Sequence, residues 1–327
     1  MRRVIVIGSK GQDGQLLCER LAGEGCAVLG IDRNEIHSNR RAAGSAETAV
    51  DILDSGAVDD LIRAFAPDAV FYLAAFHHSS EDELPPSDAG LYLLSHEIHV
   101  RGLLHVLEAV RRFAPGARLF YAASSHCFGE PPTSVQDEDT PLRPNCPYGI
   151  SKTAGVQLCR MYRARHALSA SCGFLYNHES PLRPPKFLSA KIVHAAVEIA
   201  RGRRDRLVLG DLSARVDWGY APDYVDAMIR ILRLETPDDF VIASGQSHTV
   251  TEFVAIAFSH LKIDWRKHVE SDPSLITKST PATVLTGNSR KLREKTGWQP
   301  SLAFPDMVRL LVDAELRRTA SAAQPAV

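Results

Sequence analysis

Val4-Ile5-Val6-Ile7-Gly8-Ser9-Lys10-Gly11-Gln12-Asp13-Gly14 stands near the start of the chain, and its two halves ask different things of the backbone. The four β-branched residues favour an extended strand buried on both faces. G-x-x-G-x-x-G then permits a tight turn, close passage of a ligand and close helix–strand packing, each of which excludes a side chain. Gln15–Ala22 reads as an amphipathic helix whose first N–H groups face that turn, a ready site for a diphosphate. Strand, glycine turn and helix together predict the first unit of an α/β fold, a Rossmann-type doubly wound parallel sheet.

The alternation continues outward. Further strands are expected at Ala27–Ile31, a very short Ala49–Asp51, Ala69–Leu73, Arg118–Ala122 and Leu168–Phe174. Helices are expected near Val58–Phe65, Tyr92–Arg112 and Tyr148–Ala164, since parallel strands need crossovers. Arg33–Thr48 is polar and basic and reads as a loop. At Pro181, Pro184 and Pro185 the regular pattern ends, and helices follow at Phe187–Arg201, Tyr224–Leu232, Val250–His260 and Phe304–Arg317. The expected division is a dinucleotide-binding domain over 1–176 with a returning segment near 215–245, and a smaller α+β substrate domain over 177–214 and 246–327.

Composition narrows the function classes. Lys plus Arg number 38 against 39 Asp plus Glu, so no long-range field gathers polyanions and no nucleic-acid partner is expected. The first apolar run is too short for a signal peptide and no stretch is long enough to span a bilayer, so a cytoplasmic protein without a membrane partner is expected. The 6 cysteines contain no C-x-x-C pair and are read as reduced thiols. The 13 histidines raise a metal alternative, because His77-His78 after the fourth strand could meet His126 after the fifth. His96-Glu97-Ile98-His99 has the wrong spacing for a metalloprotease helix, and no metal is expected.

Within the dinucleotide reading, Gly8, Gly11, Gln12, Asp13 and Gly14 would cradle the pyrophosphate. Asp32, about 20 residues on, would accept the ribose hydroxyls and repel a 2′-phosphate, which favours NAD. Arg33 could instead clamp that phosphate, which keeps NADP as the alternative. Asp51-Ile52 could hold the adenine edge, and Leu73-Ala74-Ala75 would let the cofactor pass close to the fourth strand. The plainer readings of these last two are a helix cap and a packed strand end. Tyr148-Gly149-Ile150-Ser151-Lys152 is Y-x-x-x-K, which puts phenol and ammonium on one helical face. The ammonium is expected to lower the phenol toward neutrality, so that Tyr148 takes a hydroxyl proton as hydride leaves while Lys152 reaches the nicotinamide ribose. Ser124-Ser125 follows the fifth strand.

At these residues the sequence resembles the extended short-chain dehydrogenase/reductase (NAD-dependent epimerase/dehydratase) family, and within it the GDP-mannose 4,6-dehydratases. The resemblance rests also on Asn177-His178-Glu179-Ser180-Pro181, Asp217-Trp218-Gly219 with Asp223-Tyr224-Val225, Phe240-Val241-Ile242-Ala243 and Gly297-Trp298-Gln299-Pro300. It implies that Ser124 or Ser125 binds the sugar 4-oxygen, with Tyr148 as base and Lys152 as its electrostatic partner. It implies further that Asn177, Arg183 and Lys191 bind the nucleotide sugar beside Phe187. The chain departs from the family in carrying His126 where a catalytic glutamate is usual, and His99 where asparagine is common. Val216 stands where an arginine is usual, with Arg215 adjacent, and Lys278-Ser279-Thr280-Pro281 replaces Arg-Pro-x-Glu, leaving Lys278 as a point charge.

The function implied is a nucleotide-sugar 4,6-dehydratase acting on a GDP-hexose through transient C4 oxidation. A 4-epimerase or 4-keto reductase without elimination is the alternative that His126 favours. A non-catalytic dinucleotide sensor is the third, and the intact Ser–Tyr–Lys set argues against it. The family's four-helix interface further implies a homodimer, or a tetramer, built on Tyr92–Arg112 and Tyr148–Ala164. Leu93, Leu94, Leu103, Leu104, Val106 and Leu107 are expected to form one broad apolar surface for it.

Overall fold

The structure, a computed structural model, describes residues 1–33, 45–76, 87–275 and 284–321. Its central sheet is built from β1 (Arg3–Ile7), β2 (Ala27–Asp32), β3 (Ser45–Ala49), β4 (Ala69–Tyr72), β5 (Arg118–Ser124) and the strands Ser169–Leu175 and Asp239–Ile242. All neighbours are parallel, in the order Asp239–Ile242, Ser169–Leu175, β5, β4, β1, β2, β3. Strand order reverses beside β1, so a crevice opens at the carboxyl ends of β1 and β4. Register pairs Ile7 with Ile31 and with Tyr72, which brings Gly8, Asp32 and Leu73 to one edge.

Period-two alternation divides the strands between two cores. Ile5, Val70 and Tyr121 face α2 (Ser55–Phe65), α4 (Leu103–Phe113) and α5 (Pro147–His166). Val4, Phe71 and Phe120 face α1 (Gln12–Gly23) and the helix Ala221–Arg233. A third apolar cluster joins α6 (Leu188–Ala200) to the helices Val250–His260 and Phe304–Ser321 through Ile192, Phe253, Val308 and Trp218.

Two elements differ from the sequence reading. The third strand is Ser45–Ala49, so that Ser45–Thr48 lies in the stretch expected to be a loop, Ala49 alone falls in the expected strand, and Asp51 lies beyond it. Ser45-Ala46-Glu47-Thr48-Ala49 has little apolar pattern because it is an edge strand, held by its parallel ladder with β2. The single helix expected over Tyr92–Arg112 is interrupted: α3 (Asp88–His96) runs into a π-helical turn, Glu97–Gly102, before α4. Two buried phenols accommodate that turn, Tyr72 donating to Ile98 O at 2.5 Å and Tyr121 to His99 O at 3.4 Å. Gly102 permits the approach, since a Cβ there would lie 2.7 Å from Ile52 Cδ1. The turn also divides the apolar surface expected for this helix. Leu103, Val106 and Leu107 are fully buried against the sheet, Leu104 is partly buried, and Leu93 and Leu94 remain exposed.

Candidate functional site

A cavity of about 480 Å³ occupies the carboxyl edge of the sheet. The glycine turn forms one end of it. Gly8 has φ +88°, and a Cβ there would stand 2.8 Å from Ala74 N; one on Gly14 would meet Gly8 O at 2.2 Å. These two glycines close the turn against the protein, whereas Gly11 faces the cavity and caps α1 without a side-chain hydrogen bond. The positive end of α1 is thus presented to a ligand by Gly11, Gln12, Asp13 and Gly14.

Asp32 and Arg33 line the cavity at the end of β2. The Asp32 carboxylate accepts the Lys10 N–H at 3.3 Å and the Arg33 N–H at 2.9 Å, so it also fixes the turn it would serve. Asp51 and Ile52 line the adjoining wall, with Asp51 accepting the Leu53 N–H at 2.9 Å. Leu73, Ala74 and Ala75 run along the floor. A helix N-terminus for a pyrophosphate, a carboxylate one strand away for a ribose and a small-residue floor between them fit a dinucleotide.

At the other end stand Ser124, His126, Tyr148 and Lys152. Ser124 lines the cavity and hydrogen-bonds the Tyr148 side chain, while Ser125 is buried in the one-turn helix Ser125–Cys127 and is not a lining residue. Of the pair, Ser124 is therefore the one that faces the cavity. Lys152 Nζ donates to Ala122 O at 2.7 Å and lies 5.8 Å from the Tyr148 ring centre. Burial depresses its ammonium from 10.5 to about 8. The expectation that Lys152 lowers the Tyr148 phenol is not met by the protein alone: burial raises that phenol, and the Ser124 bond only partly opposes it. The reason is geometric, because the ammonium is turned to the carbonyl at the end of β5.

Two histidines flank Tyr148. His99, fully buried, accepts the Phe76 N–H on Nε2 at 3.1 Å, so its proton sits on Nδ1 and is donated to Ser151 Oγ at 2.8 Å. Ser151 in turn donates to Tyr148 O at 3.0 Å, and the His99 ring meets the Tyr148 ring edge-on at 5.1 Å. His126 makes a second edge-on contact with Tyr148 at 5.7 Å, and its Nδ1 lies 3.9 Å from Cys146 Sγ. Gly149 allows α5 to start this close, since a Cβ there would be 2.4 Å from His126 O.

The Asn177–Glu179 strand closes the site. Asn177 and Arg183 line the cavity with Phe187, over whose ring the Arg183 guanidinium stacks at 3.7 Å. Behind them Gln12 receives the Ser180 hydroxyl at 2.8 Å and donates to His178 O at 3.1 Å. His178 Nε2 faces Asp13 Oδ2 at 2.8 Å, and its Nδ1 faces Tyr176 O at 2.6 Å. Burial disfavours both charges, yet the mutual attraction and hydrogen bond outweigh it, raising His178 and lowering Asp13. Glu179 is buried against Ser189 and near Arg183, and burial raises its carboxyl.

Lys191 and Arg215 do not line this cavity; Arg215 instead holds Ser247 O at 2.6 Å across a two-strand pairing. Lys278 lies outside the described residues, as do His77 and His78. Sequence reading missed Ile98, Tyr176 and His178 as lining residues. The unusual Asn-His-Glu-Ser-Pro run was the available signal for His178; for Ile98, exposed by a π turn, there was none. Among the described residues no group of three or more His, Cys, Asp or Glu is placed to hold a metal, and no helix is long and apolar enough to cross a membrane.

A family model described as GDP-mannose 4,6 dehydratase matches residues 5–311. GDP-mannose 4,6 dehydratase 2 of Arabidopsis thaliana is 35% identical over 332 residues, covering 95% of this chain and 86% of that protein. The human GDP-mannose 4,6 dehydratase is 30% identical over 348 residues, covering 96% and 92%. Among solved structures, dTDP-glucose 4,6-dehydratase from Bacillus anthracis in complex with NAD superimposes with a TM-score of 0.82 at 17% identity over 98% of both chains. UDP-glucose 4-epimerase with UDP-glucose from Thermotoga maritima gives 0.82 at 19% identity, covering 97% and 99%. These two show the shared fold.

Proposed function

The chain belongs to the GDP-mannose 4,6-dehydratase family of extended short-chain dehydrogenase/reductases, and from that premise we propose that it dehydrates a GDP-hexose across C5 and C6 after transient oxidation at C4. The enzyme is NAD(P)-dependent, with NAD favoured by Asp32. One observation carries the reading: a single cavity joins the glycine turn to Ser124, His126, Tyr148 and Lys152.

Ser124 holds the sugar 4-oxygen, and Tyr148 takes the 4-hydroxyl proton as hydride leaves C4. A nicotinamide dinucleotide held by the glycine turn and Asp32 would supply reversible hydride acceptance and, when oxidised, a positive charge that favours the phenolate. Lys152 adds a second positive charge near the ring and reaches the nicotinamide ribose. The 4-ketone acidifies C5–H; His126 removes that proton and delivers one to the departing C6 hydroxyl, which leaves as water. With hydride given back at C6 and a proton at C5, the net change would be loss of one water. Asn177 and Arg183 hold the diphosphate, with Phe187 as a wall. Lys191 and Arg215, which do not line the cavity, are not assigned as ligands.

The modules assigned are residues 1–176 with 215–245 for the cofactor, and 177–214 with 246–327 for the nucleotide sugar. Leu292 and Trp298 of the latter reach back to the sheet-side core. We also infer a homodimer, from apolar side chains exposed on α3 and α5, and a cytoplasmic location, from six free cysteines. A sensor without catalysis is set aside by the enzyme family and the assembled site.

The test is product analysis with GDP-mannose in heavy water. Dehydration predicts a product lighter by one water and deuterated at C5. A product that keeps its C6 hydroxyl with C5 unlabelled would replace this reading by the epimerase or reductase.

A further inference from the structure

Cys146 occupies the N-cap of α5 in an extended conformation, φ −143° and ψ 156°, and its Sγ accepts the Gly149 N–H at 3.4 Å. A cap alone does not call for sulfur, since serine, threonine, aspartate and asparagine are the favoured residues there. The same Sγ lies 3.9 Å from His126 Nδ1, a distance a sulfur spans and a hydroxyl oxygen does not. Pro147 follows at the first helical position, so the cap that starts the helix also sets the direction of Tyr148. Cys146 thus touches the one turn that positions both flanking groups of the reaction.

We propose that Cys146 is a positioning residue for His126, holding Nδ1–H on its sulfur so that Nε2 is the nitrogen that exchanges protons with the sugar. This rests on the reading of His126 as the C5 base. With His126 acting as base through Nε2, the ring proton stands on Nδ1, and the sulfur accepts it as it accepts the Gly149 N–H. That tautomer leaves the lone pair on Nε2. When Nε2 takes the C5 proton the ring becomes imidazolium, and Nδ1–H keeps its acceptor. When Nε2 passes a proton to the leaving hydroxyl, the first tautomer returns. The contact is therefore constant through turnover, and the weak acceptor does not hold the imidazolium as tightly as a carboxylate would, which suits a group that must both take and return a proton.

The experiment compares Cys146→Ser and Cys146→Ala with wild type and His126→Ala, all loaded with NAD and given GDP-mannose in heavy water. Serine keeps the cap but its shorter bond cannot reach Nδ1. Positioning predicts that in Cys146→Ser the C5 exchange rate and kcat fall by about tenfold, with KM and the rate of cofactor reduction changed by less than about twofold and Tm unchanged or higher. Cys146→Ala should lose C5 exchange equally and Tm as well. Adding Cys146→Ser to His126→Ala should cost nothing further. Wild-type C5 exchange in Cys146→Ser, with exchange abolished in His126→Ala, would overturn the role of Cys146 alone. Exchange that survives in His126→Ala would overturn the base assignment and the positioning role with it.

Discussion

Asp13 and His178, 165 residues apart in sequence, face each other at 2.8 Å and join the first turn of α1 to the strand that closes the site. His178 is stacked on Tyr224 at 4.4 Å, and both of its ring nitrogens point at acceptors. The imidazolium is the form that satisfies both. Because Gln12 bonds Ser180 and His178 O, the glycine turn is held by the segment that closes the other side of the cavity.

This bridge has a pH window. His178 is raised above its ordinary 6.5, so its contribution is complete below 6.5 and is lost as pH rises through the higher folded value. Asp13 is lowered below 3.8, so its contribution is complete above 3.8 and is lost as pH falls through the lower folded value. Asp13→Ala, which strands a buried cation, should cost about 3 kcal/mol within that window. The Tm difference from wild type should shrink on the alkaline side, and NAD affinity measured by calorimetry should fall in the variant. A difference independent of pH from 4 to 9 would remove the charge from the account, whatever about 1 kcal/mol the neutral hydrogen bond contributes.

Lys152 predicts a conflict between stability and activity. Depression from 10.5 to about 8 corresponds to about 3 kcal/mol of disfavoured charge, partly offset by the bond to Ala122 O. Lys152→Met keeps the stem and removes the charge, so Tm near neutral pH should hold or rise while turnover falls by roughly 10²-fold or more. For wild type the sign is fixed: with the folded value below the unfolded one, stability from this group grows as pH rises from about 8 to 10.5. Tyr148→Phe should lose substrate-dependent cofactor reduction by a similar factor with cofactor binding nearly intact. A lowered Tm in Lys152→Met together with retained turnover would contradict both assignments.

The proposed preference for NAD rests on Asp32. Its carboxylate lines the cavity at the end of β2 and is itself held by the N–H groups of Lys10 and Arg33. Asp32→Ala should weaken NAD by about tenfold and bring NADP to comparable affinity, because Arg33 remains to meet a 2′-phosphate. Tighter binding of NADP than NAD by wild type would show that Arg33, not Asp32, sets the preference.

That the glycine turn, Asp32, Ser124, Tyr148 and Lys152 gather at one cavity was legible, because residue type and local spacing marked each of them. β3 was not, since an edge strand without apolar alternation is recruited by its neighbour's ladder. The π turn was not legible either, because what stabilises it, Tyr72 and Tyr121, comes from other strands. Motifs such as Asp217-Trp218-Gly219 and Gly297-Trp298 signalled the family but act structurally here. Asp217 accepts the Gly287 N–H at 3.1 Å, and Trp298 Nε1 donates to Asp223 O at 2.8 Å. His178 shows the limit from the other side: the motif was visible, but its partner was fixed only by folding.

The last prediction concerns assembly. Tyr92, Leu93 and Leu94 on α3 are 38%, 63% and 46% exposed, and Ile150 on the adjoining α5 is 40% exposed. Single exposed apolar residues are ordinary, but several on two paired helices mark a surface that water disfavours. The π turn explains why they are available, since it commits Leu103, Val106 and Leu107 to the sheet and leaves the preceding turns outside. In the proposed homodimer a second copy would supply the matching surface by two-fold symmetry, each α3 and α5 meeting its counterparts. Light scattering at micromolar concentration should therefore give a dimer mass for wild type and a monomer mass for Leu93→Glu with Leu94→Glu. Wild-type Tm should rise with protein concentration and the variant's should not, because association stabilises only the folded chain. A wild-type monomer whose Tm ignores concentration would mean that this face meets something other than a second copy.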